Sequence, residues 1–564
     1  KDAVYGDDST ISASAVPSSY SKETPREMTA AEIHTVIEKA AQAAVRAKQA
    51  GADAVEICAN SGYLISQFLS PVTNLRTDEY GGDLEHRCRF GLEMIRAMRA
   101  AVGPDYTLIL RVAGNEFMPG GNGFKESAAF ARMAEEAGID MIDVTGGWHE
   151  SRVPQITGDV PAAGFAYLAE GVRAKVSVPV SISNRVNDPW VAEEALAKGQ
   201  ADMVTMGRAL LADPQFPNKA RAEKEEEIRP CLGCNQGCLA NTFFDRPIEC
   251  LSNALCGREL SVNQEPAAEP KQVLVIGAGP AGCETAYRAA LRGHMVTLLE
   301  KEAQIGGQMQ LAKVTPGHED FARLIAFYEK VLPRVGVRVV TNQAVSDWEK
   351  TDYDVVVGAI GGSEAQCTIS RDASVQFMTT TEYLEKKAIP GKRVVIVGSS
   401  FVATQTAQAL AYESSISKEQ LFHLSAFHAE SGEKIAELLN HSARKITIVD
   451  RQKKIGIGYE SGVAWPCLSE LGRLRVQKLP NSEIYRIADG IVYLTNTDKE
   501  GNMNEMEIAA DTVLFTPGAH PRAELQTQLQ ERFPQAACHV IGNSKQSGRA
   551  IDAIREGCFL ASEI

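Results

Sequence analysis

The chain has 564 residues, which at roughly 100–200 residues per domain predicts three or four domains. Its 58 basic and 72 acidic residues leave a net charge of −14, which argues against a general nucleic-acid binder and a polybasic membrane-surface protein. Hydrophobic residues at 44% and charged residues at 23% argue against disorder, and no apolar run reaches the length of a transmembrane helix.

Residues 1–28 are rich in Ser, Thr and Pro, without a clear period or the apolar core of a signal peptide. A helix follows, opened by a capping box of Thr29 and Glu32, with Ile33, Val36, Ile37, Ala40 and Ala44 on one face. Apolar strands then read at 53–58, 106–113, 141–146, 178–183 and 201–206. Helical patterns read at about 85–101, 125–137, 160–174, 190–198 and 213–225. Unbroken strands separated by helices predict a parallel sheet with covered faces. A (β/α)8 barrel needs eight such units. Five are visible, and residues 1–28 cannot supply three more. The expectation is therefore an N-terminally incomplete TIM barrel or a smaller open sheet.

Cys231, Cys234, Cys238 and Cys250 follow in a C-x2-C-x3-C-x11-C pattern. Four thiolates on a tight loop suit an iron–sulfur cluster or zinc, and zinc sites favour paired two-residue gaps. The spacing therefore points to iron–sulfur first. Twelve cysteines are too sparse for a disulfide scaffold, so a reducing cytoplasm is expected.

After a polar linker at 263–270, V-L-V-I-G-A-G-P-A-G presents Gly277, Gly279 and Gly282 between a strand and an Ala-rich helix. The first glycine permits the turn, the second lets a pyrophosphate reach the backbone, and the third lets helix and strand pack. Glu300, 23 residues beyond Gly277, is placed for a ribose diol. A second unit starts near Gly391. It keeps Gly398 but has Ser400 and Ala403 at the later glycine positions. Ser400 is expected to crowd a pyrophosphate. Asp450 ends the next strand and suits NAD(H), whereas Arg451, Lys453 and Lys454 would suit NADP(H). Residues 412–440 read as a polar helical insertion.

In the first region Tyr63 and His149 fall just past strand ends, where catalytic residues of barrels collect. Both are plausible general acids. Arg111, Arg185 and Arg208 also sit at strand ends, and Gly207–Arg208 follows the last strand, a usual phosphate position.

Together these features resemble the multidomain old yellow enzyme superfamily, most closely its bacterial 2,4-dienoyl-CoA reductase branch. 2-Enoate reductase and trimethylamine dehydrogenase belong to the same group. The matching stretches are NSGYLISQFLSPVTNLRTDEYGGD, TGGWHESRVP, SNRVNDP, MGRALLADP, CLGCNQGCL, VLVIGAGPAG, EKEAQIGGQ and HVIGN. The resemblance implies a barrel domain at 1–225, an iron–sulfur segment at 226–262, an FAD domain at 270–388 and 511–564, and an NAD(P)H domain at 389–510. It implies hydride transfer from NAD(P)H to FAD, single-electron passage through a [4Fe–4S] cluster, and reduction of an alkene by FMN. Tyr63 would donate the proton, and His149 would bind a substrate carbonyl. Arg111, Arg185, Gly207 and Arg208 would hold FMN. Gly277, Gly279, Gly282, Glu300, Gln308 and Gly542 would hold FAD, and Gly398 and Asp450 the nicotinamide cofactor.

Cys58-Ala59-Asn60-Ser61 replaces the His-x-x-His or His-x-x-Asn of many relatives, Val72 stands where a substrate-contacting Arg is expected, and Asn543 replaces a frequent Asp. The implied substrate is an unsaturated acyl-CoA. An amine dehydrogenase and a diaphorase are the alternatives. Against the family about a hundred N-terminal residues are missing, so the native protein is expected to be longer, or a second chain to complete the barrel. A homo-oligomer is also possible on this reading.

Overall fold

The computed structural model describes residues 10–19, 21–350, 352–458 and 463–564, so the first nine residues of the 1–28 segment lie outside it. The chain divides into two compact units. One runs to Ile156 and from Val160 to Ala209, and the other comprises Thr157–Asp159 and everything from Leu210.

In the first unit five parallel strands lie in sequence order: β1 (Ala54–Ala59), β2 (Thr107–Ala113), β3 (Met141–Thr145), β4 (Val180–Ile182) and β5 (Met203–Val204). These are five consecutive strands of a TIM-barrel domain. Side chains alternate across the sheet. Leu108, Leu110, Val112, Ile142, Val144, Val180 and Ile182 are buried in one cluster with Phe90, Ile95, Phe130 and Leu168 of the covering helices. The opposite face carries Arg111, Asp143 and Ser181, which the register places in one row.

Helix Ala30–Gln49 starts at the expected capping box. Helix Leu84–Val102 starts at Asp83, whose carboxylate accepts the His86 N–H, and stops at Gly103 with φ +82°. The helix expected from 160 begins only at Ala166. Pro161 and Gly164 precede it and turn the chain instead. The strand expected at 201–206 shortens to two residues.

The second unit holds two five-stranded parallel sheets. In the first, the order is Arg338–Val340, Met295–Leu299, Gln272–Ile276, Val355–Gly358 and Ala537–Val540. The last strand comes from the C-terminal end, and helix Ala550–Glu563 then packs on helix Pro280–Leu291. Gly557 permits that approach, because a Cβ there would lie 2.5 Å from the Ala281 carbonyl oxygen. The second sheet is Gln376–Thr379, Thr512–Phe515, Arg393–Val397, Lys445–Val449 and Gln477–Leu479. The 412–440 insertion forms helices Lys418–Ala426 and Gly432–Leu439, neither with a buried residue, which accounts for its polar sequence. Among the described residues no helix is long and apolar enough to cross a membrane.

The segment before the cysteines is fixed by Arg229. Its guanidinium donates to Glu284 at 2.8 Å and to the Ser252 carbonyl, and packs on the rings of Phe327, Tyr287 and Tyr328. Glu284 is fully buried and also takes Arg288 at 2.9 Å and the Tyr328 hydroxyl at 2.7 Å. Burial opposes its charge, yet the two arginines hold its carboxyl below the usual range. Removing one partner of a buried ion pair strands the other. Arg229→Ala should therefore cost roughly 3–5 kcal/mol, read by urea denaturation, whereas a loss under ~1 kcal/mol would mean the pair is dispensable.

Candidate functional site

β1 leads into a turn in which Ser61 (φ +59°) and Gly62 (φ +92°) are left-handed. Ser61 pairs with Trp148 on the loop after β3, and its carbonyl accepts the His149 N–H at 3.2 Å. Gly62 is needed here, because a Cβ would sit 2.7 Å from the Trp148 ring. The two loops are thereby tied together. They bring the Tyr63 and His149 rings to 5.2 Å, edge to face at 85°. Tyr63 is 53% exposed. Burial holds the His149 imidazole below its usual pKa, against a weaker opposing effect of Glu150. His149 is therefore neutral at pH 7 and can donate one hydrogen bond from its ring.

Glu150 was not singled out from the sequence. Its two carboxylate oxygens accept from the Ser18 hydroxyl and from the backbone and hydroxyl of Ser19. This straps the 10–28 segment beside His149. Arg76 anchors the same segment through the Ala13 and Met28 carbonyls. Neither pairing has a local sequence signal, since each spans dozens of residues.

Arg111 on β2 lies between Glu56, at 3.7 Å, and Asp143, at 3.4 Å. Its Nε and the Asp143 Oδ2 are buried without a hydrogen bond. Arg185 is left-handed (φ +58°), and its Nε donates to the Val160 carbonyl at 3.0 Å. Gly207 has open space where a Cβ would be, and Arg208 begins a short helix and donates to the Ile156 carbonyl. These groups fit FMN: a cation with unused donor capacity, and an open glycine beside a second arginine.

In the second unit, Gly277 (φ +99°) has the Ala359 carbonyl 2.5 Å from a would-be Cβ, and Gly282 has the Gly277 carbonyl at 1.9 Å. Gly279 alone opens on empty space. A Cβ on Gly307, beside Gln308, would lie 3.0 Å from Gly279, and Gly542 (φ +61°) lies against Ala281. Glu300 accepts the Ala278 N–H at 2.8 Å and the Glu302 N–H at 3.0 Å, so it shapes the same turn. This glycine cradle fits the pyrophosphate of FAD. Asn543 accepts the Gly548 N–H at 2.9 Å and shapes its own loop.

At the second fingerprint Gly398 is left-handed (φ +133°). Ser400 caps helix Phe401–Glu413 through the Ala403 N–H. Phe401 stacks edge-on against His318, at 5.1 Å. Asp450 follows its strand, as expected, and accepts the Gln452 N–H at 2.7 Å.

The cysteine loop folds on itself. Gly237 accepts the Glu249 N–H at 2.9 Å, and a Cβ on Gly237 would lie 2.6 Å from the Glu249 oxygen. That contact ties the backbone just before Cys238 to the backbone just before Cys250. Burial, then the charges of Cys234 and Cys231, push the Cys250 thiol well up. Cys231 and Cys234 thus lie near Cys250, and Cys238 lies near Cys256. Among the described residues no three His, Cys, Asp or Glu converge on one metal ion. Four cysteines from one short stretch are a donor set that fits an iron–sulfur cluster.

Residues 3–227 match the NADH:flavin oxidoreductase / NADH oxidase family, and residues 271–538 match pyridine nucleotide-disulphide oxidoreductase. The chain is 40% identical over 552 residues to a metal reductase of Desulforamulus reducens, covering 97% of this chain and 82% of the relative. It is 33% identical over 405 residues to cinnamate reductase of Clostridium sporogenes, covering 68% of this chain and 60% of that one. The structure of a 2-naphthoyl-CoA reductase complex superposes with a TM-score of 0.88 at 31% identity, covering 99% of this chain and 80% of that one. The chain therefore belongs to the multidomain old yellow enzyme-like flavoproteins. It is an oxidoreductase with an FMN-type barrel domain and an appended dinucleotide-binding module.

Two measurements check these sites. Gly237→Val should lose bound iron while flavin content stays, because its side chain collides with backbone; full iron content in the variant would mean that this contact does not shape the cysteine site, and wild-type protein without iron would remove the cluster reading. The His149 ring, followed by NMR, should titrate below 6.5. Its folded-state pKa is depressed, so its contribution to stability is present above about pH 6.5 and is lost as pH falls through the folded-state value. His149→Gln should remove that component.

Proposed function

We propose that this protein is an NAD(P)H-dependent ene-reductase that acts on a C=C bond conjugated to a carbonyl, with an unsaturated acyl-CoA thioester as its substrate class. The observation that carries the reading is the Tyr63–His149 pair, assembled by two loops at the end of a parallel sheet. FMN, when bound, supplies hydride to the electron-poor alkene carbon. The Tyr63 hydroxyl is exposed and delivers the proton to the neighbouring carbon. His149, neutral and beside it, donates a hydrogen bond to the substrate carbonyl, where negative charge develops. Cys231, Cys234, Cys238 and Cys250 hold a [4Fe–4S] cluster. The glycine cradle around Gly279 holds FAD, and the unit around Gly398 and Asp450 admits the nicotinamide cofactor. The names of the cinnamate and naphthoyl-CoA reductases support conjugated alkenes and CoA thioesters. The reading places the protein in the cytoplasm.

Tyr63→Phe should lower alkene reduction by on the order of 10²–10⁴ while dye reduction by NAD(P)H stays within about twofold. Equal loss of both would defeat the proton-donor role. A second reading, reduction of an external one-electron acceptor, is favoured by the similarity to a metal reductase. Ferric chelate reduction that outpaces every alkene and ignores Tyr63→Phe would put that reading first.

A further inference from the structure

The sheet face bearing Arg111 holds a continuous polar row. Register places Cys58, Arg111, Asp143, Ser181 and Met203 side by side across β1 to β5. The Ser181 hydroxyl donates to Asp143 Oδ1 at 2.8 Å and lies 3.0 Å from the Thr205 hydroxyl. The other oxygen of Asp143 points to Arg111 Nε. Asp143 is only 1% exposed, whereas the second acid on Arg111, Glu56, is 40% exposed.

Stability does not explain this arrangement. The inward layers of such barrels are filled with branched apolar residues. Replacing a buried ion pair by packed apolar groups is often neutral or stabilising. The Arg111–Asp143 contact is also long, and it leaves one buried atom on each side without a hydrogen bond. The row therefore holds a charge in place rather than pairing it tightly. One end of the carboxylate is fixed by Ser181, and Arg111 is drawn down on its Nε side, while its Nη1 faces Glu56 at 3.7 Å.

We propose that Asp143 is a positioning residue that sets the orientation of Arg111 and offsets its charge, and through it sets the electron affinity of the flavin bound at this face. The inference rests on the FMN reading above. A carboxylate behind the arginine partly cancels its field, so the flavin accepts electrons less readily than it would beside an unopposed cation. Glu56 adds less, because solvent screens it more.

The test uses the full holoenzyme and its Asp143→Asn, Asp143→Ser and Glu56→Gln variants. FMN content, flavin midpoint potentials and the dissociation constant for sulfite, which adds to electron-poor flavins, are measured on each. Both Asp143 variants should keep FMN, raise its potential and tighten sulfite binding at least fivefold. Glu56→Gln should change it less than twofold. The FAD potential should not move and serves as the internal reference. Sulfite binding within twofold of wild type in both Asp143 variants would overturn the proposal with the FMN reading intact. Loss of FMN from both variants would also overturn it, by making Asp143 part of the binding site itself. Wild-type protein without FMN would overturn both readings.

Discussion

Arg229 is enclosed on every side, and its charge has to be met inside the protein. Glu284 meets it, and three aromatic rings close over the rest. Glu284 belongs to the helix that opens at the first glycine fingerprint, and Arg229 stands two residues before the first cysteine of the cluster motif. One buried ion pair thus ties the cysteine loop to the helix whose N-terminus fits a pyrophosphate. An apolar contact would bury area as well, but it would tolerate sliding. A hydrogen-bonded charge pair with Ser252 on the same guanidinium fixes both position and angle.

The first unit solves a similar problem with backbone. Tyr63 and His149 lie on loops 86 residues apart. The Ser61–Trp148 bridge and the close seat of Trp148 on Gly62 hold them in one geometry. Glu150 then pins the 10–28 segment beside them. Both rings are exposed, which suits groups that must reach a substrate, and desolvation still holds the His149 imidazole below its usual pKa.

The two dinucleotide units show how a shared pattern diverges. At Gly277, Gly279 and Gly282 two glycines are forced by backbone contacts, and one is left open for a ligand. At the second unit Ser400 takes the N-cap position, so its side chain serves the helix. The expectation that it crowds a pyrophosphate treats it as an obstacle. The structure gives it a capping role, and places Phe401 and His318 against each other just beyond it.

Much of this was legible in the sequence because it depends on local chemistry. Thr29 and Glu32 cap a helix wherever they fall in that spacing, strand alternation separates the helix-facing Leu and Val from Arg111 and Asp143, and glycine fingerprints announce their turns. The four cysteine positions also follow from spacing alone. What the sequence could not supply was every contact that joins distant segments: Arg229 with Glu284, Ser61 with Trp148, Glu150 with Ser18 and Ser19, and Asp143 behind Arg111. A local pattern repeats at a fixed period and can be read in a short window. A charge pair across 55 residues, or a polar row across four strands, exists only after the chain has folded, because only then do burial and register decide which groups must satisfy each other.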